Sequence, residues 1–172
     1  AVARFGAQFK LFSQNIASAL AMANDPERCD DELSRLPLQL EALESQFSEY
    51  DAFQPDILQK REELLETFEA HKQSLLDERQ RRSPALLTSA ERILSTFGRR
   101  TARLTLLEEL NAFFVADPMA RKVMEIAGQL RAIKDTVRAD DVEARFKAAQ
   151  DQALRSMRDK TELYEDGGST IK

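Results

Sequence analysis

The chain has 172 residues, 42% hydrophobic, 32% charged and 7% aromatic, with five glycines, five prolines and no tryptophan. That composition is too apolar for a disordered tail and too poor in turn formers for anything but long helices, in one or two domains. The net charge of −5 argues against a general polyanion binder, and the single cysteine, Cys29, excludes an internal disulfide and a cysteine-rich metal site.

Ala1 to Leu20 steps through Phe5, Phe9, Phe12, Ile16 and Leu20, the spacing of one helix face, with Arg4 and Lys10 on the flanks. This is not the shape of a signal peptide, and no apolar run approaches the roughly 18 residues of a membrane span, so a cytoplasmic setting without a membrane partner is expected. Asp25-Pro26 then marks a helix start: the aspartate caps, and proline fits the first helical position, where its missing N–H costs nothing.

The longest pattern visits Leu36, Leu40, Leu43, Phe47, Tyr50, Gln54, Ile57, Arg61, Leu64, Phe68, His71 and Leu75 in steps of four and three, a coiled-coil seam with nine apolar positions of twelve. Pro37 is placed in the first turn of a helix. Pro55 should kink or restart the arm, because proline lacks a donor and clashes with the preceding turn. The other arrangement is a tight turn between antiparallel arms, which the absence of Gly and Asn near Pro55 disfavours.

Ser83-Pro84 and Asp117-Pro118 repeat the capping signal, and Thr105 with Glu108 and Asp140 with Glu143 have capping-box spacing. Leu86, Leu87, Ala90, Ile93, Leu94 and Phe97 form a stripe that Gly98 should terminate. Further stripes are Leu106, Leu107, Leu110, Phe113 and Phe114; then Met119, Val123, Ile126, Leu130, Ile133 and Val137; then Val142, Phe146, Ala149, Ala153 and Met157. A short loop near Arg138 to Asp140 predicts an antiparallel helical hairpin at the end. Gly167-Gly168 should end the last helix, and the β-branched residues that follow could open a strand.

The expected fold is therefore all-α: a long coiled-coil arm over residues 1–82, kinked near Pro55, then a compact bundle over 83–165 with the terminal hairpin, and a linker over 166–172. The bundle should bury Leu87, Ile93, Leu94, Phe97, Leu110, Phe113, Ile126, Leu130, Ile133 and Phe146.

No chemistry-bearing motif accompanies this. Gly6, Gly98, Gly128, Gly167 and Gly168 cannot assemble a phosphate-binding loop. His71, the sole histidine, lacks companion ligands and fits a polar break in the seam. Glu62-Glu63, Glu108-Glu109 and Asp140-Asp141 are adjacent pairs, which diverge by about 100° on a helix and do not converge on one substrate. No catalytic residue, metal ligand or cofactor is expected in this segment.

Charge is uneven along the chain. Residues 1–78 hold 7 basic and 16 acidic side chains, residues 79–103 seven arginines and one glutamate, and the remainder 11 basic and 13 acidic. The arginine-rich segment makes Arg81, Arg82, Arg99, Arg100 and Arg103 the candidate nucleic-acid contacts, through phosphate neutralisation. The simpler assignment is helix-dipole complementation and ion pairs to the acidic arm.

Three stretches carry a resemblance: Cys29-Asp-Asp-Glu-Leu-Ser-Arg-Leu followed by Leu-Glu-Ala-Leu-Glu-Ser-Gln-Phe47; Lys60-Arg-Glu-Glu continuing to Leu75-Leu-Asp-Glu-Arg-Gln-Arg-Arg82; and Ala139-Asp-Asp-Val-Glu-Ala-Arg with Asp159-Lys-Thr-Glu-Leu-Tyr-Glu-Asp-Gly-Gly168. Together they resemble the coiled-coil portion of large bacterial AAA-type ATPases labelled DNA repair ATPases. The resemblance implies a non-catalytic helical scaffold or interaction module of a larger cytoplasmic ATPase, in a DNA-repair or stress setting, with the nucleotide site outside this chain. The partners expected are other domains of that ATPase or a coiled-coil partner, a homo-oligomer included. DNA bound by the Arg79 to Arg103 segment is the alternative.

Overall fold

A computed structural model describes residues 1–170, with side chains described through Leu163. Every regular element among them is helical: α1 (Val2–Met22), α2 (Pro26–Gln46), a 3-10 turn (Asp51–Phe53), α3 (Gln54–Leu94), α4 (Phe97–Thr101), α5 (Leu107–Ala116), α6 (Pro118–Ala132) and α7 (Thr136–Thr170). The chain packs as two compact units, Ala1–Arg79 and Gln80–Lys172, and α3 contributes residues to both.

In the first unit the seam folds back on itself. Leu36, Leu40, Leu43, Phe47, Ile57, Leu64 and Phe68 are buried in one core with Phe5, Phe12 and Cys29. Ion pairs from α2 to α3 join Glu44 to Arg61, Asp30 to Lys72 and Glu27 to Arg79; the numbers fall along one helix as they rise along the other, so the pair is antiparallel. The kinked arm expected at Pro55 is thus a helical hairpin. Pro55 is the second residue of α3, where a missing N–H costs little. Phe53, buried in the turn, stacks on Phe5 with ring centroids 4.1 Å apart and meets Phe47 edge-on. That stacking, not a turn-forming residue, holds the reversal.

The polar interruptions of the seam all find partners. Arg61 reaches Glu44 at 2.6 Å, His71 Nε2 lies 2.7 Å from the Ala23 carbonyl, and the Gln54 amide donates to the Phe47 carbonyl at 3.4 Å. The Cys29 thiol is buried, and burial followed by the charges of Asp30 and Asp25 pushes it up, away from a reactive thiolate.

In the second unit all ten expected core residues join one cluster. Phe97, Leu110, Ile126, Leu130 and Phe146 are buried, while Leu87, Ile93, Leu94, Phe113 and Ile133 pack against them half-buried. Phe97, Phe113, Phe114 and Phe146 meet edge-to-face with centroids between 5.1 and 6.1 Å apart, the arrangement that ring quadrupoles favour. α6 and α7 form the terminal antiparallel hairpin: Arg131 near the end of α6 bridges to Asp140 at 2.7 Å and Glu143 at 2.9 Å near the start of α7.

Two caps are where the sequence puts them. Asp25 accepts from the Arg28 N–H at 2.7 Å, and Asp117 from Met119 and Ala120 at 2.8 and 3.3 Å. Several other local signals are overridden. Pro37 lies inside α2 and Pro84 inside α3, neither at a start. Ser83 does not cap; its buried hydroxyl donates to Asp135 instead. Gly98 lies within α4, with α3 already ended at Leu94. The start of α5 is one residue later than expected, with Glu109 accepting from the Leu106 N–H at 3.2 Å. The hairpin loop lies at Ile133 to Asp135, where Lys134 has φ 67°, so Asp135 rather than Asp140 accepts from the first turn of α7, at the Arg138 N–H, 3.0 Å. α7 continues through Gly167 and Gly168 to Thr170, and the strand expected to open at Ile171 lies outside the described residues.

Candidate functional site

The basic segment divides once its partners are known. Arg100 is committed internally: its guanidinium grips the Asp117 carboxylate with both terminal nitrogens, and its Cζ lies 5.0 Å from the Phe113 ring centroid. Burial pushes the Asp117 carboxyl up, but Arg100 and the N–H groups of Met119 and Ala120 outweigh it and hold the group below its ordinary range. Of the five candidate nucleic-acid contacts, Arg100 is thus the one engaged by a capping carboxylate and a ring. Arg79 is likewise taken, bidentate on Glu27 at 2.8 and 2.9 Å. Arg81, Arg82, Arg99 and Arg103 are exposed and form no ion pair among the described residues. Arg81 and Arg82 lie on α3, Arg99 on α4 and Arg103 in the turn after it. The pairs are separated by the rest of α3, about 20 Å along a helix axis.

In each of the three adjacent acidic pairs at least one member has a structural partner. Glu63 pairs with Lys60, Glu109 caps α5, Asp140 holds Arg131, and Asp141 pairs with Arg145. Asp135 is held down to about 2 by the Ser83 hydroxyl first and then by Arg138. Among the described residues no group of three or more His, Cys, Asp or Glu could hold a metal, and no helix is long and apolar enough to cross a membrane.

What the sequence did not mark is a groove on the second unit between α4, the α4–α5 connection and α7. Three adjoining hollows of about 350, 400 and 360 Å3 run into one another, all three lined by Met157. Phe97, Gly98, Leu104, Leu107, Ala153 and Leu154 supply apolar floor and wall, with Thr101, Thr105, Gln152, Ser156 and Thr161 among the polar lining. Ala149, Ala153 and Met157 belong to the apolar stripe of α7 and join the second core while also lining the groove. They face the groove because α6 is only 15 residues long, and the 35-residue α7 outruns it. Gly98 matters here through what it lacks: a Cβ built on it would meet no atom within 4 Å, so the groove floor is open at that point. The Lys160 ammonium donates to the Ala102 carbonyl at 2.7 Å, which closes the end of α4 and fixes a cation at the rim. Among the described residues the charged side chains that line the groove are Arg158, Lys160 and Glu162. Arg99 and Arg103 are chain neighbours of lining residues. Among the described residues the arrangement is apolar in its floor, with two cations and one carboxylate at its edge.

No protein-family model, curated protein or solved structure matches this chain.

Proposed function

We propose that the chain is a non-catalytic helical scaffold and interaction module within a larger cytoplasmic protein, docking its partner in the α4–α7 groove. The observation that carries this reading is the groove itself: a channel with an apolar floor, and two cations and one carboxylate at its edge among the described residues, left open beside a core that is already closed. The placement in an ATPase with a DNA-repair or stress role rests on the resemblance of the three stretches around Cys29 to Phe47, Lys60 to Arg82 and Ala139 to Gly168. A photoreactive residue in place of Thr105, which is exposed and lines the groove, tests it in cells. The expected result is a covalent adduct to protein from Thr105 and none from a control at exposed Arg121. Equal yields from the two sites, or no adduct from Thr105, would overturn the reading.

A second reading, a nucleic-acid-binding arm, is favoured by one observation: Arg81, Arg82, Arg99 and Arg103 keep their charges exposed and outside the ion pairs described. Four phosphate contacts would give a salt slope of about −3.6, or roughly 100-fold weaker binding between 50 and 200 mM salt. Anisotropy with short duplex DNA, on the chain and on its four-site Arg→Glu variant, measures this; salt-independent or variant-independent binding ends that reading.

A further inference from the structure

The groove calls for an occupant that is apolar along one helix face and acidic beside it, about three turns long. Its lining runs along α7 from Ala149 to Glu162, about 20 Å at 1.5 Å per residue. The chain carries such a face in its own first unit. On α3, Leu58 and Leu65 are 53% and 40% exposed, unusual for leucines seven residues apart on a helix whose other side is buried. Glu62, Glu66 and Glu69 are exposed beside them, and Glu62 and Glu66 form no ion pair among the described residues. At 100° per residue these five side chains occupy one stripe about 100° wide and about 16 Å long. The stripe of Ile57, Leu64 and Phe68, centred about 130° around the same helix, is consumed by the core of the first unit.

We infer that the α4–α7 groove receives the Leu58 to Glu69 face of α3 from a second copy of this chain. The two leucines fill the channel over Gly98 and Met157, and the glutamates meet Arg158 and Lys160 at its rim. Charge selects this face: unfilled apolar floor meets exposed leucine, and the Arg158 and Lys160 cations of the rim meet Glu62 and Glu66, which form no ion pair among the described residues. Face and groove are different surfaces, so the contact is heterologous, and repetition gives a ring or an open chain rather than a closed pair. A three-turn contact lies at the low end of interface sizes, so the association is weak and rapidly reversible. The inference rests on the proposal that the groove is an interaction surface, and it names the partner.

Two variants test it. Gly98→Trp fills the channel from a position with free space around its Cβ. Leu58→Lys with Leu65→Lys destroys the face at exposed positions and leaves the core untouched. In sedimentation velocity on the whole chain, the weight-average mass should rise with concentration toward about 100 µM. It should rise less as salt is added, and each variant should stay monomeric with unchanged circular dichroism. An equimolar mixture should form dimers and stop there, because only one intact groove and one intact face remain per mixed pair. A wild-type chain that stays monomeric, a Gly98→Trp chain that associates as the wild type does, or a mixture that stays monomeric would each overturn the inference. The Thr105 adduct separates the two levels: an adduct to a different protein removes the second copy and keeps the interaction module, while no adduct removes both.

Discussion

In the first unit the helices meet along their length: α2 and α3 share a regular seam, bridged at intervals by Arg61–Glu44, Lys72–Asp30 and Arg79–Glu27, while α1 lays Phe5 and Phe12 into the same core. In the second unit α6 and α7 also pair along their length, through Val123, Ile126, Leu130, Val142 and Phe146, while the short α4 and α5 join them through the edge-to-face rings of Phe97, Phe113, Phe114 and Phe146, and Ser83 of α3 bonds to Asp135. The seam leaves single leucines such as Leu58 and Leu65 exposed on the outer side of α3. In the second unit α7 runs past the end of α6, and the groove opens beside the part of α7 that α6 does not reach.

The sharpest way to break this comparison is to remove one ring from each core. Phe68 and Phe97 are 0% and 2% exposed, and Phe68→Ala and Phe97→Ala should each cost about 3–5 kcal/mol through lost transfer energy and the cavity left behind. Hydrogen exchange should accelerate first in α1 and α2 for the former and in α5, α6 and the start of α7 for the latter. Equal acceleration everywhere in both would mean that the two cores do not act as separate units.

Next in size is the buried polar contact. Asp135, with its side chain 17% exposed, is held down to about 2 by Ser83 and Arg138. A carboxylate depressed on folding stabilises the native state above its unfolded pKa, and that contribution disappears as pH falls from about 4 to about 2. The expected loss is about 2 kcal/mol, confined to the second unit. Ser83→Ala should cost about 1–3 kcal/mol at neutral pH and flatten that acid dependence, as read from urea melts at pH 7 and pH 3. A Ser83→Ala chain with the wild-type acid profile would remove the contact from the account.

Gly98→Ala should raise stability by about 0.5–1 kcal/mol, because the backbone is helical and space is free at the Cβ. It sharpens the comparison by separating the two uses of one position: alanine strengthens α4 with the groove open, and tryptophan closes it. The smallest effect belongs to the first unit. Arg79→Ala removes a pair whose glutamate is 53% exposed and should cost less than about 1 kcal/mol, falling further in salt.

Which parts of this structure were legible beforehand follows the range of the forces involved. The helical class, most of the core stripes and the caps at Asp25 and Asp117 depend on residues within four positions of one another, and a sequence displays those spacings directly; Tyr50, Leu106, Leu107, Met119 and Val137 share the spacing and are exposed. Whether Pro55 kinks a helix or begins one depends on Phe53 finding Phe5, 48 residues away along the chain. Pro84 sits inside a helix while Ser83 bonds across 52 residues to Asp135. Arg100 was indistinguishable from Arg99 until Asp117 claimed it. The groove was legible in neither composition nor period, since Ala149, Ala153 and Met157 have the same spacing whether a neighbour covers them or not. Periodicity fixes which face of a helix is apolar; only the tertiary structure, through the lengths and meeting points of the helices, decides which part of that face stays open.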